Sequence, residues 1–223
     1  MSYILYFISL IIAAIDWIAV AKKYKPVEYF AKPAVMISLL IWVLQSGGNN
    51  SFLIWFELGI VFSLAGDLFL MLPKERFLAG LISFLLAHIC YLTGFSSAPP
   101  PINFASIVLA VIILITSLRI YRRILENLTN LKQGSLKIPI LLYTTVISLM
   151  LYSALITLVR EDWPVLSAII VSIGALLFYI SDVFLAWSKF ITPLPHAKLR
   201  VIITYHLGQA LIALGAVLYS VQY

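Results

Sequence analysis

Long, nearly unbroken apolar runs alternate with short polar breaks along the whole chain. The breaks fall at charged or Pro/Gly/Asn-rich points, and eight runs lie between them, at approximately 3–21, 27–45, 52–72, 77–95, 102–120, 138–159, 165–187 and 199–221. Each is close to the roughly 20 residues that a helix needs to cross a ~30 Å hydrocarbon layer. A membrane barrel would show alternating strands of about half that length. The pattern predicts one domain, 1–223, built as an all-α integral membrane bundle of eight transmembrane helices. The second run starts before Lys32-Pro33 if the helix begins near 27, which puts Pro33 close to a first turn, where proline is tolerated.

Composition sharpens this. Of 223 residues, 63% are hydrophobic and 11% charged, against about 25% charged in a soluble domain. A water-soluble fold and a disordered chain are both excluded. The single cysteine, Cys90, excludes an internal disulfide.

The net charge of +6 raises the question of nucleic acid, and its distribution answers it. Fourteen of the 15 Lys and Arg residues fall in or beside the breaks after runs one, three, five and seven, leaving Arg160 alone on the other side. Short basic loops stay cytoplasmic, so both termini are expected on the non-cytoplasmic side. The basic balance then reflects topology and anionic headgroups, with the bilayer rather than nucleic acid as partner. Lys22-Lys23 follows the first run instead of preceding it, so that run is expected to be a retained span and not a signal peptide.

Ionisable groups inside the runs are costly and point to function. They are Asp16, Glu57, Asp67, His88, Asp182 and His206, with Lys32 near an edge. At 1.5 Å per residue, Asp16, Asp67, Asp182 and His206 each lie roughly 9–11 Å from the nearest basic edge residue. His88 comes out deeper and Glu57 near the opposite edge. Three acids and a histidine from four helices thus share one layer.

Gly66-Asp67-Leu68-Phe69-Leu70 and Ser181-Asp182-Val183-Phe184-Leu185 are near copies, with Lys74 and Lys189 seven residues after their aspartates. Seven residues is two turns, which sets each lysine at the edge above its acid. Runs three and seven have the same direction, so a parallel four-plus-four repeat is expected, with Asp67 and Asp182 facing across its axis. His88 with Tyr91, and Tyr205 with Gln209, share helix faces. No metal-binding or phosphate-loop spacing is present, and the histidines and aspartates form no metal motif.

Gly66-Asp67-Leu68-Phe69-Leu70-Met71-Leu72-Pro73 followed by Phe77, Gly80, His88 and Tyr91 resembles one signature of the YhhN family. Ser181-Asp182, Phe190 and Tyr205-His206-Leu207-Gly208-Gln209 resemble another, and Lys32-Pro33 matches a Lys-Pro pair in its second helix. The best-known members are lysoplasmalogenases. The resemblance implies hydrolysis of the vinyl-ether bond of a lysophospholipid, lysoplasmalogen, to a fatty aldehyde and glycerophosphoethanolamine or glycerophosphocholine. It also implies that Asp67 and Asp182 match essential aspartates.

Paired carboxyls suit that chemistry. A carbon must be protonated to give an oxocarbenium ion, and one carboxyl supplies the proton while the other stabilises the cation and activates water, as in glycosidases. No cofactor is needed. Asp67 and Asp182 are therefore the catalytic candidates. Lys32, Asp16, His88, Tyr91, Tyr205 and Gln209 are expected around the substrate, with Lys74 and Lys189 attracting its phosphate. Intramembrane carboxylates also serve proton-coupled transporters, and a lipid-binding bundle is the remaining alternative.

Overall fold

The computed structural model describes residues 2–47, 50–72, 76–130 and 134–222. Among them are eight helices long and apolar enough to cross a membrane, and the protein is an integral, multi-pass membrane protein. They are α1 (Ile4–Ala21), α2 (Lys25–Gly47), α3 (Ile54–Met71), α4 (Phe77–Phe95), α5 (Phe104–Asn130), α6 (Lys137–Ile156), α7 (Val165–Phe190) and α8 (Ala197–Gln222).

Two helices depart from the hydropathy reading. Helix α2 begins at Lys25, so Pro26 takes the first-turn position that suits proline and Pro33 lies inside the helix. Pro33 has no N–H to give the Tyr29 carbonyl one turn back. Helix α5 runs ten residues past the expected end at 120. Its last turns survive beyond the basic cluster because Ile124 and Leu128, one turn apart, bury against Ile140 and Phe190.

Neighbour relations follow the expected repeat. The pairs α1–α2, α2–α3 and α3–α4 are matched by α5–α6, α6–α7 and α7–α8, and the cross-half pair α2–α8 by α4–α6. Helices in lipid gain little from apolar burial alone, so close association relies on small residues that let backbones meet. A Cβ on Gly174 would stand 2.7 Å from the Ile212 amide nitrogen, and one on Gly208 2.9 Å from that of Phe178. Those glycines bring α7 and α8 into backbone contact. By contrast α5 turns Ile107, Val111, Ile112, Leu114 and Ile115 outward, as a lipid-facing helix does.

Arg160 ties helix ends together at one end of the bundle. It is 8% exposed and donates to the Phe95 carbonyl at 2.9 Å and to Ser97 Oγ at 3.0 Å. It also pairs with Asp162, tying the end of α4 to the connection between α6 and α7.

Candidate functional site

Asp67 lies one turn before the end of α3 and is 1% exposed. Its local sequence is set by packing. The position before it is Gly66 because the Phe84 ring of α4 occupies the space a Cβ would take, with Phe84 Cε2 2.6 Å from that point. In the copy on α7 the same position is Ser181, whose hydroxyl donates to the Val201 carbonyl of α8 at 3.0 Å. The near-repeat therefore differs where each half meets its neighbour.

Each carboxylate is held by two side chains. Lys32 Nζ of α2 stands 2.9 Å from Asp67 Oδ1, and the Tyr205 hydroxyl of α8 donates to Oδ2 at 2.8 Å. The Tyr143 hydroxyl of α6 donates to Asp182 Oδ2 at 2.6 Å, and His88 Nε2 of α4 lies 2.9 Å from the same oxygen. The two constellations obey the repeat. Each acid, on the third helix of its half, takes one partner from the second helix of that half and one from the last helix of the other.

The halves nonetheless differ in charge. Asp67 has an obligate cation beside it, since lysine supplies only donors and a positive charge. Asp182 has a phenol and an imidazole, both neutral unless the imidazole takes a proton. Burying an ionised group without a counter-charge is expensive, and the cation stands beside the more deeply buried of the two acids.

Asp67 and Asp182 line one cavity of about 480 Å³, within the range of small-ligand sites. Lys32, Tyr205 and Lys189 are on its wall as well, joined by Lys25, Glu28 and Lys198. Glu28 and Lys198 form an ion pair, and Lys189 Nζ sits 4.3 Å from the centre of the Phe77 ring.

Four other expected residues lie behind this wall. His88 is fully buried and reaches the cavity only through Asp182. Tyr91 donates to Gln209 Oε1 at 2.6 Å, and Gln209 Nε2 donates to Ser63 Oγ at 2.9 Å. Ser63 is one turn from Asp67 on α3, so this chain of bonds sits under the acid and fixes α3, α4 and α8 around it. Asp16 is also fully buried, within electrostatic reach of Lys32 and Asp67, and neither of its oxygens has a hydrogen-bond partner among the described residues. Nearby on α1, the Trp17 indole donates to His206 Nδ1 at 3.2 Å. Lys74 lies outside the described residues.

Although His88 is expected deeper than the aspartates, its Nε2 reaches Asp182 Oδ2 at 2.9 Å, because side chains on neighbouring helices bridge a difference in level. Tyr143 was not singled out, although it lies six residues after Lys137, about 9 Å along the helix and level with the aspartates. A depth count restricted to charged side chains passes over a phenol. No group of three or more His, Cys, Asp and Glu placed to hold a metal ion occurs among the described residues.

A family model described as the YhhN family matches residues 27–216. Lysoplasmalogenase TMEM86B of Mus musculus is 29% identical over 185 residues, covering 83% of this chain and 72% of that protein. The Homo sapiens TMEM86B is 29% identical over 82% of this chain and 72% of its own length. A lysoplasmalogenase homolog of Dictyostelium discoideum is 31% identical over 75% of this chain and 65% of its own length. No solved structure matches. The matched segment contains both aspartates and all four side chains that hold them, and the chain belongs to the YhhN family.

Proposed function

We propose that this protein hydrolyses the vinyl-ether bond of a single-chain 1-alkenyl glycerophospholipid, releasing a fatty aldehyde and the glycerophospho-headgroup. The observation that carries the reading is the pair of carboxyls on one cavity wall, Asp67 beside the Lys32 ammonium and Asp182 beside Tyr143 and His88. The names of the relatives support the same activity.

The slow step of this reaction is proton transfer to carbon. The Tyr143 hydroxyl and His88 Nε2 both meet Asp182 at Oδ2, leaving Oδ1 for the substrate. Asp182 delivers the proton to the alkene carbon remote from the ether oxygen, and positive charge develops on the other alkene carbon and the oxygen. Asp67, paired with Lys32, stabilises that cation and takes a proton from the attacking water. The resulting hemiacetal then collapses: its hydroxyl proton passes to Asp182, Asp67 returns its proton to the departing glycerol oxygen, and the carbon–oxygen bond breaks to give the aldehyde and a glycerol hydroxyl. One water is consumed. Positioned acid or base groups of this kind contribute about 10²–10⁴ each.

At the mouth, Lys25 and Lys189 line the approach of the phosphate, and the Glu28–Lys198 ion pair exchanges partners with a zwitterionic headgroup. The test is aldehyde release by purified protein in detergent supplied with lysoplasmalogen. The ester-linked lysophospholipid of the same chain, which has no alkene to protonate, is expected to remain intact. No aldehyde from the vinyl ether would refute the proposal.

A further inference from the structure

Asp182 and three apolar neighbours belong to two spaces at once. Leu70, Phe84, Asp182 and Leu185 line the polar cavity and also a second, narrow slot of about 60 Å³ between α3, α4, α5, α6 and α7. Beyond Asp182 and Tyr143 the slot is walled by Ile124, Ile140, Ile147 and Ala186, with Thr144 at its side. Thr144 also lines a third space, a cleft of about 390 Å³ between α5 and α6 that runs along both helices from Tyr121 and Leu141 to Ala110 and Tyr152. The hydroxyls in that region bond to one another, Ser117 with Ser148 at 2.7 Å and with Tyr179 at 3.0 Å. They leave an apolar surface for an occupant.

We infer that the slot and the α5–α6 cleft form the path of the substrate's aliphatic chain, with Asp182 at the junction between headgroup cavity and chain. The inference rests on the hydrolase reading above and adds where the chain lies. Charge favours this polarity of binding: four lysines line the first space, whereas no basic side chain lines the slot among the described residues. The path begins at the basic end of α6 and leads toward the opposite membrane face, the direction in which a lipid anchored by its headgroup extends its chain. Width favours one chain over two, since the slot holds at most a few water volumes. The alkene carbon on the chain side then meets Asp182, and the carbon attacked by water faces Asp67.

Two variants and one probe test this. Thr144→Phe on α6 and Ala186→Phe on α7 obstruct the path. Rates are read on a propenyl lysoplasmalogen, whose chain ends before Thr144, and on a hexadecenyl one. Displacing the reacting bond by about an ångström costs up to about a hundredfold, so each Phe variant should lose at least about tenfold in kcat/KM on the long substrate. The propenyl ether should be spared. Equal loss on both substrates, or no loss on either, overturns the path.

Independently of turnover, lysophosphatidylcholine with a mid-chain diazirine should label α5 and α6 along the cleft, and Thr144→Phe should abolish that labelling. Label confined to other helices, or unchanged by the variant, also overturns the path. Cleft labelling without hydrolysis of any vinyl ether would sink the hydrolase reading and leave the chain path standing. Hydrolysis with label elsewhere would do the reverse.

Discussion

Tyr143 donates its hydroxyl to Asp182 at 2.6 Å, the counterpart in the second half of the contact that Lys32 makes with Asp67. One half of the repeat thus uses a phenol where the other uses an ammonium, and the two acids differ because of it. Tyr143→Phe keeps the ring and removes this bond. A hydrogen bond to a charged group is worth about 1.5–3 kcal/mol, so kcat should fall by roughly ten- to a hundredfold. Steady-state aldehyde release by detergent-purified variants checks this. Wild-type kcat in the Phe variant would show that Tyr143 has no part in orienting the acid.

Lys32 should matter to stability as well as to rate. Removing one partner of a buried ion pair costs about 3–5 kcal/mol because the other charge is left unpaired. Lys32→Met is expected to lower the thermal midpoint in detergent, and adding Asp67→Asn to it should restore most of the loss without restoring activity. A double variant no more stable than Lys32→Met would show that the ion pair is not the source of the effect.

Much of this was legible in the chain. Eight hydrophobic runs are eight helices, because lipid forces each segment to satisfy its own backbone. The repeated Gly66-Asp67 and Ser181-Asp182 motifs mark the two acids that share a cavity. Partners were harder to read. Tyr143 escapes a search for charge, and Lys25 and Lys198 read as ordinary edge lysines until α2 and α8 bring them to one mouth. Tyr91 and Gln209 share faces with site residues but bond to each other across 118 positions, a relation that no local periodicity contains. The extent of α5 depends on Ile140 and Phe190, which are remote in sequence.

The Arg160–Asp162 pair predicts a pH response at the opposite end of the bundle. Hydrogen bonding to Arg160 holds the Asp162 carboxyl below its ordinary range. Its stabilising effect is therefore complete above the ordinary carboxylate value of about 4 and disappears as pH falls through the lowered one. Asp162 is 43% exposed, so the pair itself contributes no more than about 1 kcal/mol. Thermal melts of wild type and Asp162→Asn should differ at pH 7 and converge in acid. A gap that persists in acid would assign the difference to some other cause.

Sidedness is open to direct measurement. The segregation of Lys and Arg predicts that both termini are non-cytoplasmic and that the cavity mouth faces the cytoplasm. A C-terminal alkaline phosphatase fusion in a bacterial host should be active, and a C-terminal fluorescent protein dark. The opposite pattern would invert the molecule and place the substrate in the other leaflet.

The carboxyl pair is tested most directly by Asp67→Asn and Asp182→Asn, with Glu57→Gln as the control. Asparagine nearly preserves shape and keeps hydrogen-bonding capacity but cannot exchange a proton at carboxyl strength. Aldehyde release from lysoplasmalogen should fall by about 10²–10⁴ in each Asn variant, with membrane insertion and elution volume unchanged, while Glu57→Gln retains full activity. If both Asn variants keep more than about a tenth of wild-type turnover, far above that loss, acid–base catalysis by Asp67 and Asp182 is contradicted.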